Sequence, residues 1–504
     1  MKKILFLFLL TAGIATQAVA QVPARETVQL LPENYEPART TFMSYDNGEN
    51  AVTFDVARSS FYVSLNRPWA FRLASGMPDV VPAGEAGVAG QWGEQRVPGY
   101  FAETSPADFE GLKPPALPAE NSVGQYRTQV EIPVFWLDRD IFLRIEGLKG
   151  GLTLYVNGQR AGYAEQSGTP VEFNIAPYIA DGVNTIAMDI ARYKTGDWLE
   201  NGTINGAGIE GGVSLYSQYR IHINDFTVET SFDSLKNTTG VADLAIELVN
   251  GFNFPDSVVV YYDLRDAQGK PVRYNTRETV VPGLGGRDTV RFQGKLADVK
   301  RWSPESPYLY QLVLRVRYKG RFIEYVPFHV GFRELKIENG VYTLNGKPIE
   351  IKGAEYRCDG LSPDDATMRA DLLQLKKEGF NAIRCGYHPR KARLYELCDE
   401  VGLLVCDEVG LDTALTGDNR AVGGALVNNP NWVEAYLARV ENAHRLSRNY
   451  TGVILYSLGR GPGVGYNIYK SYLEMKVLEP LRPVMYEPAG TIWCNDTKSW
   501  QGSF

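Results

Sequence analysis

The chain has 504 residues, room for about three domains at roughly 100–200 residues each, and its 44% hydrophobic and 22% charged content excludes wholesale disorder. A net charge of −7 argues against a nucleic-acid or anionic-membrane surface, while 12% aromatics and 50 glycines favour many short strands and turns. Five cysteines, four histidines and no CxxC or HExxH spacing argue against a disulfide framework and against zinc; buried thiols are expected instead.

Residues 1–20 read as a secretory signal: Lys2-Lys3, an apolar run Ile4–Leu10, then Ala18-Val19-Ala20 before Gln21. The expectation is a periplasmic or secreted protein cleaved near Ala20. No later stretch approaches the roughly 20 apolar residues of a membrane span, so no membrane insertion is expected. Gln21–Pro118 is irregular and rich in Pro and Gly. Tyr126–Ile132 then alternates in the manner of a half-buried strand, Ile141–Ile145 and Leu152–Val156 follow, and Asn157-Gly158 signals a hairpin. Asn184–Ile190 supplies another strand. Ile221–Phe332 reads as a second sandwich, with strands at Val241–Val249, Ser257–Leu264, Thr289–Phe292 and Leu309–Tyr318.

From Glu350 the pattern becomes βα. Strands are predicted at Glu350–Ala354, Ala382–Cys385, Leu403–Asp407, Val453–Tyr456 and Pro483–Tyr486. Helices are predicted at Asp364–Glu378, Ala392–Val401, Asn431–Asn449 and Tyr466–Leu478, the first with Met368, Leu372, Leu375 and Gly379 on one stripe. This alternation gives a parallel sheet, and here a (β/α) barrel whose functional side chains sit at the C-terminal strand tips.

Several motifs resemble the glycoside hydrolases of family 2, the β-galactosidase and β-glucuronidase group. Ser64–Phe71 is similar to its opening strand S-L-N-G-x-W-x-F, and Arg96–Tyr100 to V-P-x-x-W. Leu154–Tyr163 is similar to its jelly-roll motif V-N-G-x-x-V-G-Y, and Thr169–Tyr178 also fits that domain. Trp302–Tyr310 matches W-S-P-E-x-P-x-L-Y almost letter for letter. The resemblance implies a jelly-roll β-sandwich over 21–220, an immunoglobulin-like β-sandwich over 221–334 and an incomplete (β/α) TIM-type barrel of about five strands over 335–504. It also implies that the family's nucleophile strand lies beyond these five.

The departures fall at the site. The family's S-L-G-N-E-S/C-G reads Ser457-Leu458-Gly459-Arg460-Gly461-Pro462-Gly463, with Gly461 in the place of the acid/base Glu. The first barrel loop, K-G-V-N-R-H-E-H in the family, reads Lys352–Asp359 with no His. After the second strand Tyr387 and His388 stand exchanged, and after the third the run Asp407–Ala414 keeps Asp412 but loses a His to Ala414. The sandwich's W-R-x-S-G-I-x-R keeps only the Gly208-Ile209 turn. With the ligand at 461 gone as well, no metal and no cofactor are expected.

The expectation is therefore a secreted family 2-like protein without catalytic residues, a pseudoenzyme that binds carbohydrate or scaffolds envelope partners. The alternative is a β-galactosidase-like glycosidase completed by another chain. Weak carbohydrate-binding candidates are His388, Glu408, Asp412, Arg460 and Trp493. His388 either faces a sugar or is a surface or capping residue. Arg460 either clamps an anion or, the favoured reading, pairs with Glu408 or Asp412. Asp407 and Glu408 are expected to form ion pairs in the barrel mouth. Trp493 and Trp500 either stack on a sugar or, preferably, close the barrel edge. The implied partners are a glycan, and a protein or second copy at the open barrel edge.

Overall fold

The computed structural model describes residues 33–83, 92–165, 167–234, 238–338, 341–358, 360–386, 388–389, 391–461, 463–490, 494–497 and 502–503. The proposed signal at 1–20, Trp493 and Trp500 lie outside the described residues.

Two antiparallel sheets form the N-terminal sandwich. One orders Tyr62–Ser64, Ala207–Tyr219, Arg139–Lys149 and Val171–Asn174, with Gly99–Ala102 also on Ala207–Tyr219. The other orders Gly93–Arg96, Pro68–Ala74, Val123–Ile132, Gly182–Ala191, Gly151–Val156 and Gln159–Ala164. The stretch before Pro118 is thus less irregular than its composition suggests, because its short strands pair with distant partners. At the hairpin signal, Asn157 (φ 51°) and Gly158 (φ 79°) both take left-handed backbone, the requirement of a type I′ turn. Leu143, Leu154, Phe173, Met188 and Leu215 are fully buried between the sheets.

The second sandwich packs Ile221–Phe232, Gly240–Asn250 and Arg287–Leu296 against Pro271–Val280, Val258–Arg265, Tyr310–Tyr318 and Arg321–Val330. Pro271–Val280 eluded the sequence pattern because its residues are mostly exposed and polar on both faces. Trp302, fully buried, donates from Nε1 to the Asp399 carbonyl at 2.9 Å and so ties this sandwich to the barrel. Arg333 reaches the same way, its Nη2 3.0 Å from the Val453 carbonyl.

The barrel segment runs β1 (Ile351–Tyr356), α1 (Asp365–Lys377), β2 (Ala382–Cys385), α2 (Lys391–Val401), β3 (Leu404–Glu408), α3 (Val433–Ser447), β4 (Val453–Ser457), α4 (Tyr466–Leu478) and β5 (Val484–Met485). Helix α1 starts where Asp364 accepts from the Thr367 amide at 2.8 Å and ends on Lys376 and Lys377, which suit the negative end of its dipole. It buries Met368 and Leu372; Leu375 is only half-buried and Gly379 lies exposed past the helix end. The strands pair in parallel in chain order, and β6 (Gly502–Ser503) adds in parallel to Ile351 and Lys352 on the far side of β1. The tail therefore covers the β1 edge. All five cysteines are free thiols, four of them buried.

Candidate functional site

Five strand tips converge. Glu355 lies near the end of β1, Arg384 in β2, Glu408 ends β3, and Arg460 and Glu487 follow β4 and β5. Alternation along β3 decides which carboxylate enters. Asp407 points towards α2, where it accepts from Tyr395 Oη at 2.6 Å and meets Lys391 Nζ at 3.3 Å. Glu408, on the same face as the core residue Cys406, points to the mouth and is fully buried.

Glu408 is held from two sides. Arg384 Nε lies 2.5 Å from its Oε2, and Arg460 Nε lies 3.1 Å from its Oε1. Arg384 also donates to Ser457 Oγ at 3.0 Å and to Glu487 Oε2 at 2.9 Å. Arg460 Nη2 reaches Glu355 Oε1 at 2.5 Å, and Glu355 pairs further with Arg357. The result is an alternating chain, Glu487–Arg384–Glu408–Arg460–Glu355–Arg357. Gly386 makes room for it, since a Cβ there would lie 2.7 Å from Glu408 Oε1.

Charge balance sets protonation. Burial pushes the Glu355 carboxyl up, but the Arg460 and Arg357 guanidiniums outweigh it and hold it below its ordinary range. Burial likewise opposes the charge on Arg384 and Arg460, and the Glu408 carboxylate overrides it in both. A general acid must hold a proton near neutral pH. Glu355 cannot do so here.

Residue 461 follows in a loop folded tightly on the segment after β3. Gly459 (φ 113°) would drive a Cβ into the Leu411 carbonyl. Gly461 (φ 143°) would place one 3.2 Å from both the amide and the hydroxyl of Thr413. Neither conformation suits a residue with a side chain.

Asp412 serves the domain seam. Its backbone bridges both Glu200 and Arg460, its amide donates to the Leu199 carbonyl at 2.8 Å, and its carboxylate accepts from the Ala414 amide at 3.1 Å. Burial raises its carboxyl above the ordinary range. Beside it the first sandwich inserts Glu200, which meets Lys194 Nζ at 2.7 Å and Arg439 Nη2 of α3 at 2.6 Å. Burial pushes Glu200 up, yet those two cations win and hold it at about 2.

Of the sequence candidates, Glu408 and Arg460 come together as an ion pair, and Asp412 joins Arg460 through backbone. His388 is not at the surface, one of the alternatives open from sequence; it is 1% exposed and stacks on Tyr356 at 5.9 Å. It lines a small cavity between sandwich and barrel with Lys149, Glu210 and Arg357. Trp493 lies outside the described residues. Glu355, Arg384 and Glu487 were not singled out from sequence. Glu355 was missed because β1 was expected to stop at Ala354, leaving it beyond the strand tip.

Comparison with known proteins decides the family. Residues 62–219 match the sugar binding domain of Glycosyl hydrolases family 2, residues 221–333 match Glycosyl hydrolases family 2, and residues 335–500 match its TIM barrel domain.

The chain belongs to glycosyl hydrolase family 2.

Its relatives include a Beta-galactosidase of Priestia megaterium, 32% identical over 90% of this chain and 46% of the relative. A Beta-galactosidase of Vibrio cholerae is 33% identical over 75% of this chain and 37% of its own length. The family 2 chain thus spans less than half of these curated relatives. A Bacteroides uniformis beta-glucuronidase structure superposes with a TM-score of 0.67 at 18% identity, over 84% of this chain and 52% of that one. A Bifidobacterium dentium beta-glucuronidase complexed with coumarin-3-O-glucuronide gives 0.67 at 19% identity, over 85% and 74%. These likenesses establish the shared fold.

Proposed function

We propose that this family 2 protein is a non-catalytic relative that binds carbohydrate or scaffolds envelope partners. The observation that carries the reading is Arg460, which stands beside Gly461 at the tip of β4 and pairs with both Glu408 and Glu355. A retaining glycosidase needs two carboxyl groups ~5–5.5 Å apart, one of them protonated. Here a guanidinium is interposed between the two carboxylates and holds Glu355 in its charged form.

Purified protein is expected to release no nitrophenol from nitrophenyl galactosides, glucuronides or mannosides. Turnover abolished by Glu408→Gln or Asp412→Asn would overturn the reading. Export belongs to the same proposal, supported by Lys2-Lys3 and the apolar run that follows. Among the described residues no helix is long and apolar enough to cross a membrane. Cell fractionation tests the compartment, and a pull-down of tagged protein from its own envelope tests for a partner or a second copy at the barrel edge.

The second reading is β-galactosidase-like hydrolysis completed by another chain. The curated relatives' name favours it, as does the fact that they are more than twice as long as the stretch they share with this chain. Restored turnover on adding such a chain would support it.

A further inference from the structure

A groove of about 990 Å³ runs between the three domains, large for a ligand pocket at ~300–1,000 Å³. The sandwich strands Arg139–Lys149 and Ala207–Tyr219 form one wall, helix α2 the other, and Arg321–Val330 the floor. None of Glu355, Arg384, Glu408 or Arg460 lines it.

Three features give the groove a chemistry. Phe54 holds a left-handed backbone (φ 57°), whereas the other described non-glycine residues with positive φ are four Asn, one Asp and one Lys. A bulky aromatic in that region is strained, and such strain gathers at ligand clamps. Its ring stacks on His329 at 3.9 Å and 12°. Burial lowers the His329 pKa below its ordinary value, so the two-ring platform is neutral.

Tyr450 lines the groove at 1% exposure, and its hydroxyl has no hydrogen-bond partner among the described residues. A buried, unsatisfied hydroxyl costs free energy that a bound polar group would recover. The lining also carries Asp55, Glu146, Asp365, Glu396 and Glu400 against only Arg144, Lys391 and Arg393. That surplus of carboxylates repels anions and offers acceptors to hydroxyl groups.

We propose that this groove is a carbohydrate site for a neutral oligosaccharide. The Phe54–His329 platform borders the apolar face of a sugar ring, and Tyr450 with the Glu396 and Glu400 carboxylates serves its hydroxyls. The assignment deepens the glycan-binding arm of the proposed function and rests on it. It places the glycan away from the ion-paired barrel mouth and rejects uronic acids.

Calorimetry on the full chain with β-1,4-galactotetraose, xylotetraose, cellotetraose and trigalacturonate tests it. At least one neutral tetraose is expected to bind, with trigalacturonate about tenfold weaker or worse. Phe54→Gly should weaken binding about tenfold while leaving Tm unchanged or raised, because glycine accepts the left-handed backbone. Tyr450→Phe should weaken it about threefold. No neutral tetraose bound at millimolar concentration overturns the groove and leaves only the scaffolding arm of the proposed function. Binding lost in Arg460→Ala but kept in Phe54→Gly also overturns the groove, yet upholds a glycan-binding protein. A Phe54→Gly variant that melts earlier and binds undiminished shows the ring to be packing and likewise overturns the proposal.

Discussion

Arg460 stands between Glu408 and Glu355, its Nε 3.1 Å from one carboxylate and its Nη2 2.5 Å from the other. Two acidic side chains do meet at the barrel mouth, but a single guanidinium binds both. All five strand tips contribute a charged side chain, and each is paired within the protein.

Removing that guanidinium should cost stability without creating activity. Arg460 is 27% exposed and Glu408 keeps Arg384, so Arg460→Ala should lose about 1–2 kcal/mol, well short of the ~3–5 kcal/mol for breaking a fully buried pair. Urea denaturation measures the loss, and nitrophenyl galactoside release should stay at background. Appearance of turnover in this variant would mean that Arg460 alone blocks a competent site.

Restoring the family letters should also fail. The double variant Arg460→Asn, Gly461→Glu forces a side chain onto a backbone at φ 143° and against Thr413. A strain of roughly 1–3 kcal/mol is expected, with no hydrolysis. Nitrophenol release by this variant would show the loop to be adaptable and weaken the non-catalytic reading.

Glu200 should govern acid stability. Its folded-state carboxyl sits at about 2, below the ordinary ~4.3 of an unfolded glutamate, so its contribution is present above that value and disappears as pH falls towards 2. Glu200→Gln leaves Lys194 and Arg439 buried without their shared anion and should cost about 3 kcal/mol at neutral pH. The mutant's melting temperature should then fall less steeply than wild type between about pH 4.5 and 2. Parallel curves would assign the acid sensitivity elsewhere.

Asp399 should act with the opposite sign. Burial pushes its carboxyl to about 7, against the amides of Thr451 and Gly452, which donate to it at 2.8 and 2.5 Å. The folded state therefore holds more protons than the unfolded one, and lowering the pH from about 7 towards 4 stabilises the fold. Asp399→Asn should remove that rise. A wild-type melting temperature that is flat across this window would contradict the assignment.

Much of the architecture was legible because it depends on local periodicity. Ala382–Cys385 and Tyr466–Leu478 appear with the predicted bounds, and Asn157-Gly158 turns as its residue types require. That Arg460 pairs with a neighbouring carboxylate was legible from charge alone, with Glu408 and Asp412 as the alternatives; its partners are Glu408 and Glu355. Glu355 and Glu487 were not legible, because entry into the mouth depends on strand ends and loop paths that shift by one or two residues. The sandwich's Glu200 and α3's Arg439 are 239 residues apart, and no pattern in the chain marks them as partners. The surface alternative for His388 fails because the residue packs on Tyr356 of β1 and lines the seam with the first sandwich.

The glycines at 459 and 461 let the loop after β4 settle against Leu411 and Thr413 in a way no larger residue would permit. Once the chain relaxed into that shape, a codon change at 461 alone would meet a backbone unable to receive its product. Descent from an active ancestor would then work as a ratchet, turning easily towards lost chemistry and resisting reversal. On the non-catalytic reading proposed above, sequence drift should explore new surfaces for recognition rather than return to hydrolysis.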